Sequence, residues 1–220
     1  MNKLTPALIA AALVVPAASA AISTFDLKPA DINPADNKHF STLPTQDPAL
    51  FGFSGFGVRT IDFDTDLAGN PIAGGTILDN QFAPLGVTID NSEVFDSVWQ
   101  GPASNANAIA GGGTHTFTFT VPVDRVGIIN TSPDHDLVEI FSGPNATGTL
   151  LASFNDGGNA TRDRFLGAQT TGGDLIGSIR LTNNNGWLEL DDLVFQTPIP
   201  APGSAALAGI AGVLAARRRR

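Results

Sequence analysis

The 220-residue chain has no cysteine, no tyrosine, one methionine and three histidines, His39, His115 and His135. Without cysteine there is no disulfide framework, no thiol nucleophile and no Cys/His zinc site. A chain without disulfides must be held by its apolar core or by a bound ion. Bases are also scarce in the body. Between residues 21 and 200, seven Lys/Arg (Lys28, Lys38, Arg59, Arg125, Arg162, Arg164 and Arg180) face all twenty-one acids, a formal charge of −14. That surface repels phosphate backbones, which argues against a nucleic-acid partner. It suits solubility and divalent cations. Glutamate is limited to Glu93, Glu139 and Glu189, and the other eighteen acids are aspartate. Aspartate prefers turns and caps to helix interiors, so the bias predicts a loop-rich fold.

Helical periodicity is missing from the body as well. What is present is alternation. In "THTFTFTVP", Phe117, Phe119 and Val121 share one face while Thr116, Thr118 and Thr120 share the other, the period of a half-buried strand. Further strands are expected at 60–63, 86–89, 125–130, 137–141, 150–154, 164–168, 176–181 and 188–195. "SGPNATGT" between Phe141 and Leu150 has the turn chemistry of a hairpin loop. About nine short strands with frequent turns describe an all-β, antiparallel β-sandwich of jelly-roll type. Residues 21–58, rich in Pro, Asp and Asn, read as a leader that is partly disordered or laid over the domain, with "LFGFSGFGV" (50–58) as its docking point. The sandwich is then expected over 59–196.

The two ends read differently. Residues 1–20 have a charged start at Lys3, an apolar centre and the small-residue site Ala18-Ser19-Ala20, the layout of a helical export signal. Residues 197–220 run "TPIPAPGSAALAGIAGVLAARRRR". The uncharged stretch 203–216 would span about 21 Å as a helix, short of the roughly 30 Å hydrocarbon core. Leu207, Ile210, Val213 and Leu214 are its large aliphatics, so it forms a weak C-terminal hydrophobic helix. Arg217, Arg218, Arg219 and Arg220 would hold its end on the cytoplasmic side. The body would then lie outside.

Pro200, Ala201 and Pro202, a small-residue helix and the terminal arginines resemble the PEP-CTERM tail of exported proteins in some Gram-negative bacteria. The resemblance implies recognition and removal by a membrane enzyme of the exosortase type. Ala201 stands where that family has its central acid. The stretch "IDFDTDLAGNPIAGGTILDNQFAPLGVTID" and the later "WLELDDLVF" are similar to the sandwich domain often carried by PEP-CTERM proteins, which resembles galactose-binding-like jelly rolls.

"DFDTD" places Asp62, Asp64 and Asp66 at alternate positions, on one face if the segment is a strand. Three close carboxylates repel unless water or a cation screens them. An EF-hand is excluded, because Leu67 replaces its glycine and Ala73 its bidentate glutamate. In the jelly rolls resembled, first and last strands lie side by side and a structural calcium often joins them. That nominates Asp62, Asp64 and Asp192, with Asp191 or Glu189 in reserve; the competing reading is solvated acids guarding sheet edges. Trp99 with Gln100 and Asn105, and Trp187 after "NNN", offer aromatic faces beside amides, as sugar recognition requires, or else fill the core. His135 lies between Asp134 and Asp136, but no G-x-S-x-G elbow accompanies it, so a turn is the better reading. His115 is expected at a strand edge. The chain therefore reads as an exported, non-catalytic surface or matrix protein. The alternatives are a module that binds extracellular polysaccharide and, third, a carboxylate-dependent secreted hydrolase.

Overall fold

The computed structural model describes residues 21–36, 38–90, 92–96, 107–132, 136–156, 163–171 and 173–198, with backbone alone at 184–187. The export signal at 1–20, His135, Trp99, Gln100, Asn105, the Trp187 side chain, Pro200, Ala201, Pro202 and the tail through Arg220 lie outside the described residues.

Eleven strands are described: β1 (Ala21–Leu27), β2 (Val58–Ile61), β3 (Ile77–Leu78), β4 (Val87–Ile89), β5 (Ser92–Asp96), β6 (Asn107–Val123), β7 (Arg125–Asn130), β8 (Asp136–Phe141), β9 (Leu150–Asn155), β10 (Arg164–Thr171) and β11 (Ile176–Gln196). The described helices are short: α1 (Pro29–Ile32) and two 3-10 turns, Pro48–Phe51 and Ala83–Leu85. Every named strand pairing is antiparallel. The protein is all-β.

Two long strands organise the sheet. Ser178–Asn183 of β11 lie between β6 and β8, with β9 beyond β8. Leu190–Gln196 of the same strand lie between β7 on one side and β6 then β2 on the other, with β10 and β1 beyond β7. The exchange of neighbours falls where the β6–β11 register breaks, between Asn183 and Leu188, opposite Gly113 and Gly111. Gly113 has φ +98°, a conformation that a side chain would strain, so glycine at this point lets the ribbon pass from one set of neighbours to the other. The two strands expected at 176–181 and 188–195 are thus one strand.

Alternation in the central strands feeds two cores. Ile128, Leu166, Leu193 and Phe195 enter the larger cluster with Phe63, Phe117 and Phe119. Their neighbours Ile129, Phe165 and Val194 face the other way. There they are covered by Phe40, Leu43, Phe51 and Phe53, all supplied by the segment before β2. Phe165 is the hub of this second core, with ring centroids 4.9 Å from Phe51, 5.6 Å from Phe25 and 6.0 Å from Phe53. Arg125 ties the same segment down. Its guanidinium donates to the Phe51 carbonyl (3.0 Å) and to Gln169 Oε1 (2.7 Å), and it lies over the Phe53 ring at 4.7 Å. Residues 38–53 therefore form a strap across the outer face of β7, β10 and β11, while β1 extends the sheet beyond β10.

Candidate functional site

The strand expected over 60–63 stops at Ile61. Phe63 takes φ +57° and buries its ring against Phe82 (5.9 Å) and Phe117 (6.4 Å). Core packing wins over strand alternation here, so Asp62, Asp64 and Asp66 do not line one strand face. Each has a local task instead. Asp62 Oδ1 accepts the amides of Asp64 (3.1 Å) and Thr65 (3.2 Å), capping the turn. Asp64 Oδ1 accepts the Asn107 amide at 2.8 Å. Asp66 Oδ1 accepts from Ala68 and Asn70, and bonding to the Asn70 side chain holds its carboxyl below the ordinary range.

Asp192 reaches the same corner by a second irregularity. β2 pairs with the end of β11, Ile61 opposite Leu193. On the β7 side Asp191 faces Ile129 and Val194 faces Gly127, so Asp192 and Leu193 stand opposite the single residue Ile128. That is a β-bulge, and Asp192 sits in it with φ +50°. Its side chain is wholly buried. Oδ1 is bonded to the Thr45 hydroxyl on the strap, whereas Oδ2 has no hydrogen-bond partner. Burial pushes the Asp192 carboxyl up to about 7; the Thr45 bond opposes this, and repulsion from Asp62, Asp64 and Asp163 adds to it. A cleft of about 350 Å³ opens beside this corner, lined among others by Leu43, Thr45, Gln46, Asp62, Asp64 and Phe82.

The reserve residues are engaged nearby. Asp191 is buried and its Oδ1 accepts the Asp192 amide at 2.8 Å. Glu189 Oε2 accepts the Thr131 hydroxyl at 3.1 Å, and burial raises its carboxyl above the ordinary range. Among the described residues no three His, Asp or Glu side chains converge closely enough to hold a metal ion. The partnerless Asp192 Oδ2 fits a cation, but a calcium shell needs six to eight oxygens. Asp62 and Asp64 already cap backbone amides, so they would have to turn toward Asp192 to contribute.

Sequence reasoning missed Thr45, because a leader threonine carries no signal of the strand it will meet. It also missed a buried polar network at the ends of β7, β8 and β9. Asn130 Nδ2 donates to Asp136 Oδ2 (2.5 Å) and Asp156 Oδ2 (3.0 Å), and the Asp136 amide donates to Asp156 Oδ1. Asp163, just before β10, receives the Phe40 amide from the strap at 3.1 Å. Asp at strand boundaries was the available hint. His115 is not an exposed edge residue: it is buried opposite Leu181 of β11, and its Nδ1 lies 2.8 Å from Ser92 Oγ. Burial lowers its basicity. Ser92 is completely buried, which puts its hydroxyl out of a substrate's reach.

No family model and no curated protein sequence matches the chain. Among solved structures, the K2 cleaved adhesin domain of Lys-gingipain is similar at 13% identity, with a TM-score of 0.33, covering 80% of this chain and 99% of that one.

Proposed function

We propose that the chain is an exported, non-catalytic jelly-roll sandwich of the cell surface or extracellular matrix, delivered by a C-terminal membrane tail that an exosortase-type enzyme processes. The observation that carries this reading is the layout of the sequence: a charged start, an apolar centre and Ala18-Ser19-Ala20 at one end, and Pro200-Ala201-Pro202, a short apolar run and four arginines at the other. A weak apolar run suits a temporary handle better than a permanent span. Intact-mass measurement of the protein recovered from its native cells tests this. The reading requires a mass lacking the first 20 residues and the tail; full-length material in the cytosol refutes it.

Within this reading the Asp192 corner is a structural calcium site. It is supported by the buried oxygen without a partner, by the neighbouring Asp62 and Asp64, and by the lack of disulfides. Chelator should lower the melting temperature of the wild-type protein and leave Asp192→Asn unmoved. Equal curves with and without chelator for both proteins dispose of the ion.

A second reading, a module that binds extracellular polysaccharide, is favoured by the cleft. Thr45, Gln46, Asp62 and Asp64 supply polar groups there while Leu43 and Phe82 supply apolar surface, the mixture a sugar ring needs. Binding on a glycan array that Gln46→Ala abolishes would favour it; an array without binders would count against it.

A further inference from the structure

Phe56 is the most exposed large apolar side chain among the described residues, at 93% of its full surface. Nearby Phe51 and Phe53 are 1% exposed, so this loop does not lack apolar surface to pack against. The exposure is built in by the backbone. Gly55 and Gly57 flank Phe56 with φ of +94° and +93°, which side chains other than glycine rarely adopt. A Cβ at Gly57 would meet Thr197 Oγ1 at 2.3 Å, and the Thr197 amide donates to the Gly57 carbonyl at 3.2 Å. The Phe56 loop is thus fastened to the residue from which the chain departs toward its tail.

That attachment fixes a distance. Six residue-to-residue steps lead from Thr197 to Gly203, where the apolar run begins. Fully extended, they reach about 20 Å. When 203–216 lie in a bilayer, Phe56 is held within about that distance of the lipid surface, whatever path the linker takes. A tether of this length keeps a weak contact at an effective concentration in the millimolar range. Phe and Leu side chains bury at the headgroup/acyl boundary of bilayers, and the loop is flanked by Leu50, half exposed, and by the exposed base Arg59.

We propose that Phe56 is a lipid-contacting foot: while the tail holds the chain in the membrane, the Gly55-Phe56-Gly57 tip rests in the outer interface and orients the body with this end toward the bilayer. This rests on the membrane-tail reading above. Once the tail is removed the contact is too small to persist, and the body leaves the surface.

The absence of native cysteine makes a clean test possible. Single cysteines carrying an environment-sensitive dye are placed in the full chain at Ser54→Cys beside the tip, at Ala35→Cys beyond the Leu27 end of β1, and at Ala208→Cys in the apolar run. Each protein is reconstituted in phosphatidylethanolamine/phosphatidylglycerol vesicles containing a headgroup-level quencher. The expected result is a blue shift and quenching at 208 and 54 and none at 35, with the response at 54 lost in Phe56→Ser and kept in Phe56→Trp. A lipid response at 208 with a water-like signal at 54 overturns the foot and spares the tail. Water-like signals at both overturn the tail reading and the foot together. A response at 54 to soluble polysaccharide but not to vesicles would make Phe56 a sugar platform and sink the lipid assignment.

Discussion

Asp192 offers the sharpest quantitative test. Its carboxyl titrates near 4 in an unfolded chain and is pushed to about 7 by burial in the β11 bulge. The folded state therefore holds a proton that the unfolded state releases. The group's contribution is fully present below about pH 4 and is lost as pH rises toward and through 7. The difference of about three pH units corresponds to about 4 kcal/mol, or roughly 10 °C in melting temperature for a body of this size. Replacing Asp192 by Asn removes the titration while keeping the shape. With chelator present, the stability of wild type relative to Asp192→Asn should fall by about 4 kcal/mol between pH 4 and pH 8, read by denaturant unfolding at each pH. The slope of that difference is the diagnostic, because the asparagine amide changes the absolute value. Parallel curves across the range would show that Asp192 does not carry the burden assigned to it.

Three further outcomes follow from the packing. Phe165→Ala should cost about 3–5 kcal/mol, because it empties the hub of the second core, and amide exchange should quicken across 38–53 before it does in β6. Gly167→Ala should destabilise the β10–β7 pairing, since the added methyl would lie 2.1 Å from the Val126 carbonyl; a melting temperature equal to wild type would refute that close approach. His115 works in the opposite sense to Asp192. Burial lowers its basicity, so its contribution is present above about pH 6.5 and is lost as pH falls, and His115→Asn should flatten the acid limb of the stability curve.

The sequence alone determined most of the strand inventory. Alternation of Phe and Thr in β6, and short apolar runs in β7, β8 and β10, are local properties that any antiparallel sheet would have to respect. That the strands near Asp62 and Asp192 are neighbours was implied by the jelly-roll resemblance and not by the pattern; β2, which ends at Ile61 just before Asp62, pairs with β11. β1, β3 and β5 escaped notice because they lack that alternation or are too short to show it, and they exist by pairing with β10, β5 and β6. The acids' actual arrangement was decided only in three dimensions. Phe63 turned its backbone to reach the core, and a bulge swung Asp192 inward beneath Thr45. Neither could be read along the chain, because a two-residue period describes a regular strand. Where a strand breaks is settled by the side chains it must pack against, and those come from distant segments.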